Sequence, residues 1–252
     1  MSLDPTLLDE IACKCHSALL DGRCPQGVVS YLKNERGLNL KSVRDANIGF
    51  CTIDIEKFAN TDFYAEKEEE PFISPYRLRD RITIPIYSDC GDIVGIATRP
   101  VGKKQPWWNT PFVKGNHLYN LNLARSACFA TGKVYLVEGY IDARILFQCG
   151  LHNVVCGMGT RFTLAHAGLV LRYCSGICLV FDTDPPKENG KLGAGQEATQ
   201  RTLLESKDYF EKTTVISLPL GVDPDEFVLE RGLNEFLSLE REPELEEFAV
   251  EV

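Results

Sequence analysis

The chain has 252 residues, and with 44% hydrophobic and 25% charged residues its composition excludes an intrinsically disordered protein. No apolar run approaches the roughly 18 residues of a membrane-spanning helix, and the acidic N-terminal segment MSLDPTLLDE excludes a signal peptide, so a cytoplasmic protein with no membrane partner is expected. The net charge of −9 argues against nonspecific nucleic-acid binding by the chain as a whole.

The first half of the chain predicts helices followed by a β-hairpin. Helices are predicted over residues 7–20 and 27–46, the second ended by the segment ERGL, whose Gly37 suits a helix C-cap, before KSVRDANIGF. In DRITIPIYSDCGDIVGIATRP two apolar runs flank a polar segment at 89–92, which indicates a hairpin with a turn of about four residues. The segment QPWWNTPFVKGNHLYN, rich in Pro, Gly and Asn, is predicted to be a loop.

The second half of the chain alternates between strands and helices. The predicted strands are 134–138, 153–157, 177–182 and 213–217, and the predicted helices are 140–149, 163–173 and 194–206. Strands separated by helices of this length indicate an α/β fold with a parallel sheet. The change of rhythm places a domain boundary near residue 125, and an acidic helix or tail is expected over 231–252, after a second domain that ends near 230.

The basic residues are concentrated in one segment. Residues 77–114 contain seven basic and three acidic side chains, a local net charge of +4 in an acidic chain. The excess acid lies in EKEEE at 66–70 and in the C-terminal tail, where solvated helix faces account for it. A basic segment of this kind favours contact with phosphates.

The ten cysteines are scattered, and several lie within apolar stretches such as NVVCGM and GICLVF. Buried reduced thiols account for them better than disulfides. The nearest approach to a zinc site is Cys13, Cys15, His16 and Cys24, which contains no CxxC pair. No structural zinc is therefore expected in this chain.

Acidic side chains follow three of the four predicted parallel strands. Glu138 ends the first strand, FDTD with Asp182 and Asp184 ends the third, and GVDPDEF with Asp223 and Asp225 follows the fourth. Asp142 lies in the first turn of the helix after Glu138. Ligands of open parallel sheets bind beyond the carboxyl ends of the strands, and clustered carboxylates repel one another unless a cation neutralises them. The pattern therefore predicts a site for Mg²⁺ or Mn²⁺; the alternative, that each acid caps its own helix, stays open above all for Asp142.

A Glu on the first strand and an Asp-x-Asp on the third resemble the toprim domain of primases, topoisomerases and some nucleases. A wider series of motifs, from about residue 30 to 230, resembles the RNA-polymerase core of bacterial DnaG-type DNA primases, possibly of a phage or a divergent member. In chain order these motifs are YRLRDRITIPIYSDCGDIVGIATRP, NTPFVKGNHLYNLNLA, VYLVEGYIDARILFQCGLHNVVCGMGT, FDTD and GVDPDEF. The resemblance implies a toprim parallel sheet flanked by helices, preceded by a smaller mixed α+β subdomain with a basic ridge.

The resemblance also implies roles for the acids. It assigns six of them to a metal cluster, namely Glu138, Asp142, Asp182, Asp184, Asp223 and Asp225. Glu138, Asp182 and Asp184 would be catalytic, with Glu138 acting as metal ligand or general base. The loop DTDPPKENGKLGAGQEA is longer than the family's link between Asp-x-Asp and the following helix.

The same resemblance maps a basic ridge that binds template and nucleotide phosphates onto Arg79, Arg81, Arg99 and Lys114, with Asn109 in the Asn-Thr-Pro turn. The family usually has a lysine and an aromatic residue before that Asn, whereas this chain has QPWWN. The lysine role is therefore expected to pass to Lys103 or Lys104. Trp107 or the next residue, Trp108, would stack a base, or both would pack under the loop.

The implied function is RNA primer synthesis on a single-stranded DNA template from ribonucleoside triphosphates, with Mg²⁺ or Mn²⁺ at the acids. The alternatives are a toprim-type metal-dependent nuclease and a non-catalytic nucleic-acid-binding subunit that keeps the acids only as part of a fold. The absence of a zinc module or helicase-docking region predicts dependence on a replicative helicase, a zinc-bearing partner or missing flanking domains.

Overall fold

The computed structural model describes residues 3–52, 78–102, 105–159, 162–180, 201–206 and 208–243. The chain divides into two units, residues 1–113 and 114–252. The domain boundaries near 125 and 230 stay predictions, and the first of these positions falls within a helix that spans Leu121–Thr131. Several predicted features lie outside the described residues: the end of the third strand, most of the helix 194–206, Lys103, Lys104, Asp182 and Asp184.

The first unit begins with helices, and the second of the two predicted helices is shorter than expected. Helix α1 (Pro5–Leu20) confirms the first; its N-terminus is capped by the Asp4 carboxylate, which accepts a hydrogen bond from the backbone N–H of Thr6 at 2.8 Å. Helix α2 (Gln26–Ser30) runs on as a π-helical turn (Tyr31–Glu35), and a separate helix α3 (Leu40–Asp45) follows. The predicted end at Gly37 is confirmed, since its φ of 67° ends the helical path, but the extent of the helix to residue 46 was wrong because Leu40–Asp45 forms a separate helix.

The predicted hairpin is confirmed and belongs to an antiparallel sheet of four strands in the order β1-β2-β3-β4. The strands are β1 (Gly49–Phe50), β2 (Arg81–Tyr87), β3 (Ile93–Pro100) and β4 (Trp108–Asn109). The hairpin turn is closed by a hydrogen bond from the N–H of Ser88 to the carbonyl of Asp92 at 2.8 Å. The strand β4 lies in the segment predicted to be a loop, and a 3-10 turn (Lys114–Asn116) follows it.

Helix α1 packs against this sheet at a close approach that requires glycine. A Cβ added at Gly49 would collide with the backbone of Cys15, so a side chain at this position would push the helix away from β1. The core formed here by buried side chains of α1 and the hairpin includes Leu8, Ile11, Ile93 and Ile96. Hydrophobic burial of these side chains therefore holds α1 on the sheet.

The second unit contains the predicted parallel sheet, with strands in the order β6-β5-β7-β8-β9. The strands are β5 (Lys133–Val137), β6 (Val154–Cys156), β7 (Gly176–Val180), β8 (Lys212–Ile216) and β9 (Glu240–Arg241). The first four are parallel, whereas β9 pairs antiparallel with β8 and was not predicted. The α/β fold class with a parallel sheet is confirmed.

Helices surround this sheet and follow the strands closely. They are α4 (Leu121–Thr131), α5 (Tyr140–Gln148), α6 (Leu164–Leu171), α7 (201–206), α8 (Pro224–Arg231) and α9 (Leu233–Ser238). Alternate residues of the strands, such as Val134 and Leu136 of β5, share one core with Ala124 of α4 and Val170 of α6. Within the described ranges, no helix has the length and apolar character needed to cross a membrane.

Candidate functional site

Glu138 lies in the sharp connection between β5 and α5, and Asp142 lies in the first turn of α5. The strand ends at Val137 and the helix begins at Tyr140, so only Glu138 and Gly139 connect them. A Cβ at Gly139 would collide with the Asp142 carboxylate, which therefore lies over the glycine. Because β5 is an inner strand of a parallel sheet, both carboxylates are at the edge where such sheets bind ligands.

A third acid reaches this edge from another helix. Asp225 is in the first turn of α8 and is only 6% exposed, and its backbone N–H donates a hydrogen bond to Oδ1 of Asp142 at 3.3 Å. The start of α8 is thereby joined to the carboxylate on α5. Asp223, the residue before this helix, is exposed. Asp142 therefore contacts the beginning of a helix other than its own.

The thiol of Cys156 lies at this edge of the sheet, and three charged side chains act on it. It lies at the end of β6, is fully buried, and donates a hydrogen bond to the carbonyl of Glu138 at 2.9 Å. Burial is the main cause that raises the pKa of Cys156; the carboxylates of Asp142 and Glu138 raise it further, and the Lys114 ammonium lowers it. The thiol also accepts a hydrogen bond from the N–H of Met158, whose carbonyl accepts from Nζ of Lys114, so Lys114 and the connection that carries the acids both adjoin Cys156.

The acids at this edge are of the type that a hard divalent cation prefers, but the described ones do not form a complete binding group by themselves. Carboxylates are the ligands that Mg²⁺ and Mn²⁺ prefer, and Glu138, Asp142 and Asp225 supply them from β5, α5 and α8. Among the described residues, no group of three or more His, Cys, Asp or Glu side chains is close enough to hold a metal ion. The complete ligand set, which includes Asp182 and Asp184, stays a prediction.

The register of the hairpin separates two of the predicted basic residues. Arg81 pairs with Pro100, and Arg99 pairs with Ile82, so the two arginines project from opposite faces of the sheet. Asn109 pairs with Ala97 and lies on the same face as Arg99. Arg79 is exposed in the turn before β2. Arg99 and Asn109, but not Arg81, therefore share one surface.

The two tryptophans have different surroundings. Trp108 packs against the core formed by α1 and the hairpin, as expected for a structural side chain. The guanidinium carbon of Arg99 lies 5.8 Å from the centroid of the Trp107 ring, a cation–π distance. The Nε of Arg99 is buried and finds no hydrogen-bond acceptor within the described part of the chain. Trp107 and Arg99 thus form a cation–π pair, and their contact with a nucleotide stays a prediction.

Arg36 is a further basic residue that acts on Arg99, and the sequence analysis did not predict it as a site residue. Its Nε donates a hydrogen bond to the Tyr31 hydroxyl at 2.9 Å, and its guanidinium lies 5.5 Å from that ring centroid. Burial is the main cause that lowers the pKa of Arg99; the Tyr31 hydroxyl raises it, and the positive charge of Arg36 lowers it. An anion bound near both residues would relieve the repulsion that Arg36 exerts on Arg99. Arg36 lies in the segment ERGL, which in the sequence indicated only the end of a helix.

Comparison with known proteins covers both units. The family described as "DNA primase catalytic core, N-terminal domain" matches residues 16–125, and the family described as "Toprim-like" matches residues 135–228. A DNA primase of Clostridium acetobutylicum is 32% identical over 221 residues, which cover 81% of this chain and 36% of that protein. The chain therefore spans little more than a third of the length of the curated relatives it matches.

Two solved structures have the same fold. A DNA primase domain from Pseudomonas aeruginosa superposes with a TM-score of 0.78 and 28% identity, covering 92% of this chain and 76% of that one. The Aquifex aeolicus primase, which contains zinc-binding and RNA polymerase domains, gives a TM-score of 0.75 and 26% identity over 93% of this chain and 59% of that one. The similarity extends through the hairpin unit and the parallel-sheet unit alike.

Proposed function

Because this chain belongs to the family of DnaG-type DNA primase catalytic cores, we propose that it synthesises RNA primers on single-stranded DNA by metal-dependent nucleotidyl transfer. Its substrates are ribonucleoside triphosphates, and its template is single-stranded DNA. The observation that carries the proposal is the set of contacts that brings Lys114 and the connection between Glu138 and Asp142 to Cys156, at the carboxyl ends of the parallel strands. Carboxylates that bind cations and an ammonium that binds phosphate are what such a reaction requires.

The described residues divide the chemistry between them. Mg²⁺ or Mn²⁺ would be held by Glu138, Asp142 and Asp225 together with the predicted Asp182 and Asp184, and when bound would neutralise charge on the departing pyrophosphate. Glu138 can also accept the proton of the primer 3′-hydroxyl at its carboxylate. Lys114, on the same unit as the acids, binds a phosphate oxygen. Arg99 and Arg36 bind backbone phosphates, and Trp107 stacks a base.

Initiation of a primer is expected to depend on a further component. Starting a chain requires two nucleotides to be held together on a template with no helix formed, which is entropically costly. The solved Aquifex primase contains a zinc-binding domain, and we propose that such a domain, or a replicative helicase, assists this step here. A cytoplasmic location stays a prediction.

The function is tested by giving the protein ribonucleotides, Mg²⁺ or Mn²⁺ and single-stranded templates, with and without an annealed primer. We expect extension of annealed primers, and new starts that are weak until a zinc-bearing or helicase partner is added. The measured quantity is the ratio of new starts to extended primers at fixed salt. Template shortening without synthesis indicates the nuclease, binding without either reaction indicates the non-catalytic subunit, and efficient site-selective starts by the chain alone contradict the dependence on a partner.

Loss of one basic contact should weaken binding on all templates equally. Arg99→Ala is expected to reduce the salt dependence of single-strand binding by about 0.7 in log–log slope, and Lys114→Ala by the same amount if its phosphate belongs to the template. Arg81→Ala is expected to have a smaller effect than Arg99→Ala, because Arg81 projects from the opposite face. The measurement is fluorescence anisotropy with a labelled oligonucleotide at several salt concentrations.

The matched control is Arg23→Ala, which removes an exposed arginine that pairs with Asp21 at 2.9 Å. It changes the net charge by the same amount and should leave the slope unchanged. An equal effect of Arg23→Ala would mean that only overall charge matters. An effect of Arg99→Ala confined to one template sequence would contradict a phosphate contact.

A further inference from the structure

The backbone that carries Lys114 is held by the first turn of α6. Thr163 is the N-cap of that helix, and its Oγ1 accepts a hydrogen bond from the backbone N–H of His166 at 3.1 Å. The same hydroxyl donates to the carbonyl of Gly115 at 2.6 Å. Ring Nε2 of His166 lies 3.1 Å from the carbonyl oxygen of Lys114. Two side chains of one helical cap therefore bind consecutive carbonyls at the Lys114 position.

The hydrogen bonds determine the tautomer of His166. Its Nδ1 accepts from the backbone N–H of Thr163 at 3.3 Å, so the proton of the neutral ring is on Nε2, which donates to the carbonyl of Lys114. The ring is fully buried, and burial, the main cause, lowers the pKa of His166 despite its backbone hydrogen bonds to the 114–117 segment. The imidazole is therefore neutral at physiological pH and acts as a fixed donor.

The other end of the Lys114 side chain is also held. Nζ donates a hydrogen bond to the carbonyl of Met158 at 3.4 Å. Met158 has a φ of 60°, in the left-handed region that residues other than glycine rarely adopt, and its N–H donates to Sγ of Cys156 at 3.1 Å. The same cysteine exchanges two backbone hydrogen bonds with Tyr119, both of 3.0 Å, so the segment after Lys114 is fixed to β6.

We propose that His166 and Thr163 are positioning residues that hold the Lys114 ammonium beside the acidic edge, so that it binds a phosphate of the nucleotide or of the template. The inference rests on the proposed function, because it gives Lys114 a phosphate to bind. An unrestrained lysine side chain loses rotamer entropy when a ligand orders it. Fixing the backbone at Lys114 and the ammonium at Met158 places the charge before the ligand arrives.

The experiment compares two substitutions of His166 that retain different atoms. His166→Asn keeps an acceptor for the N–H of Thr163 but is too short to reach the carbonyl of Lys114, whereas His166→Gln places a donor near the position of Nε2. We expect His166→Asn to weaken phosphate-ligand binding about three- to tenfold, because a displaced Lys114 loses part of a charged hydrogen bond whose full loss costs about tenfold or more. His166→Gln should restore most of this binding. The readouts are the Kd values for a labelled nucleoside triphosphate and for a labelled oligonucleotide, and the separate KM and kcat of primer extension.

Two arms of the binding measurement distinguish the source of the phosphate. A loss confined to the triphosphate, with raised KM and unchanged kcat, assigns Lys114 to the incoming nucleotide. A loss confined to the oligonucleotide assigns it to the template. Either outcome supports the positioning role, and no loss in either arm overturns it.

Asn153→Ala provides the structural control. Asn153 is buried in the same unit, and its Nδ2 donates to the carbonyl of Lys133 at 2.8 Å and to Oγ1 of Thr131 at 3.0 Å, at the opposite end of β5. It should lower the melting temperature about as much as His166→Asn and leave both Kd values unchanged. If Asn153→Ala weakens ligand binding to the same extent, His166 acts only through general stability.

A double-mutant cycle with Lys114→Met separates the inference from the proposed function. If His166 acts through Lys114, then His166→Asn has no further effect on Kd in the Lys114→Met background, whereas additive losses overturn the positioning role. If Lys114→Met weakens binding and His166→Asn does not, the positioning inference alone fails. If Lys114→Met itself has no effect, both the phosphate contact and its positioning fail. A wild-type protein that binds neither ligand contradicts the proposed function.

Discussion

Replacing Glu138 by Gln, or Asp142 by Asn, is expected to abolish nucleotidyl transfer and to leave the melting temperature in metal-free buffer unchanged or raised. The Asp142 carboxylate lies over Gly139, the residue next to Glu138, so the two like charges are near each other and removing one relieves their repulsion. The lost activity should be at least about a hundredfold, as for other groups that stabilise charge developed in a transition state. The measurements are single-turnover primer extension and thermal unfolding.

Metal binding offers a second readout that does not require turnover. If the acids hold Mg²⁺ or Mn²⁺, then adding the ion raises the melting temperature of the wild type. At an ion concentration one hundred times the Kd, the free energy of unfolding should rise by about 2.7 kcal/mol. The Glu138→Gln protein should lose this increase. Asp92→Asn, a matched change at an exposed acid in the hairpin turn, should keep both the activity and the increase. A Glu138→Gln protein that stays fully active, or one that unfolds, would count against the site.

Gly139→Ala tests the same site without removing a charge. A methyl group there collides with the Asp142 carboxylate and must displace it from the position over the glycine. The backbone at Gly139 has a φ of −100°, which alanine adopts without strain, so only the displaced carboxylate should matter. We expect a large loss of metal-induced stabilisation with a small change in metal-free stability.

The parts of the fold that followed from sequence are those encoded by local patterns. The strand β5, the helix α5 and the two acids between them could be predicted because a short apolar strand, a glycine and an acidic first turn lie within ten residues. The helix α4 was missed because it begins at Asn120, whose φ of 72° and buried amide, which donates to the carbonyl of Val154 at 2.8 Å, depend on tertiary contacts.

The missed site residues have the same explanation. Cys156 is one of ten cysteines, and no motif distinguishes it. Its thiol matters because it bonds the carbonyl of Glu138 and the backbone N–H of Met158, and these contacts form only in the folded chain. The charge of Arg36 acts on Arg99, which is 63 residues away in the chain, only after the unit has folded. His166 could be recognised as part of a helix, but its bond to a carbonyl 52 residues earlier could not. The register that separates Arg81 from Arg99 depends on an irregularity between Ile86 and Tyr87, because the register at the turn would otherwise pair Arg81 with Arg99 on one face. The sequence did not predict this irregularity.

Removing the side chain of Glu240, on the edge strand β9, is expected to destabilise the second unit strongly. Both carboxylate oxygens accept from Nζ of Lys133 at 2.7 Å, and they also accept from the Tyr135 hydroxyl at 2.7 Å and the Thr214 hydroxyl at 2.6 Å. These donors lie on β5 and β8, so one side chain of β9 joins three strands. Glu240→Ala should lower the free energy of unfolding by about 2–4 kcal/mol, because three donors lose their acceptor. The control is Glu235→Ala, which removes an exposed pair with Arg231 and should cost about 0.5 kcal/mol or less.

The effect of Glu240 should disappear in acid. Burial raises the pKa of this carboxyl, but the hydrogen bonds from Lys133, Thr214 and Tyr135 outweigh burial and lower the pKa below its usual value. A carboxyl whose pKa is lower in the folded state stabilises the fold fully above the unfolded-state pKa, about 4.3, and this contribution is lost as the pH falls through the folded-state value. Urea-unfolding midpoints of wild type and Glu240→Gln should therefore differ most near pH 7 and converge below about pH 4. A difference that stays constant from pH 7 to pH 3 would mean that Glu240 contributes through packing and not through its charge.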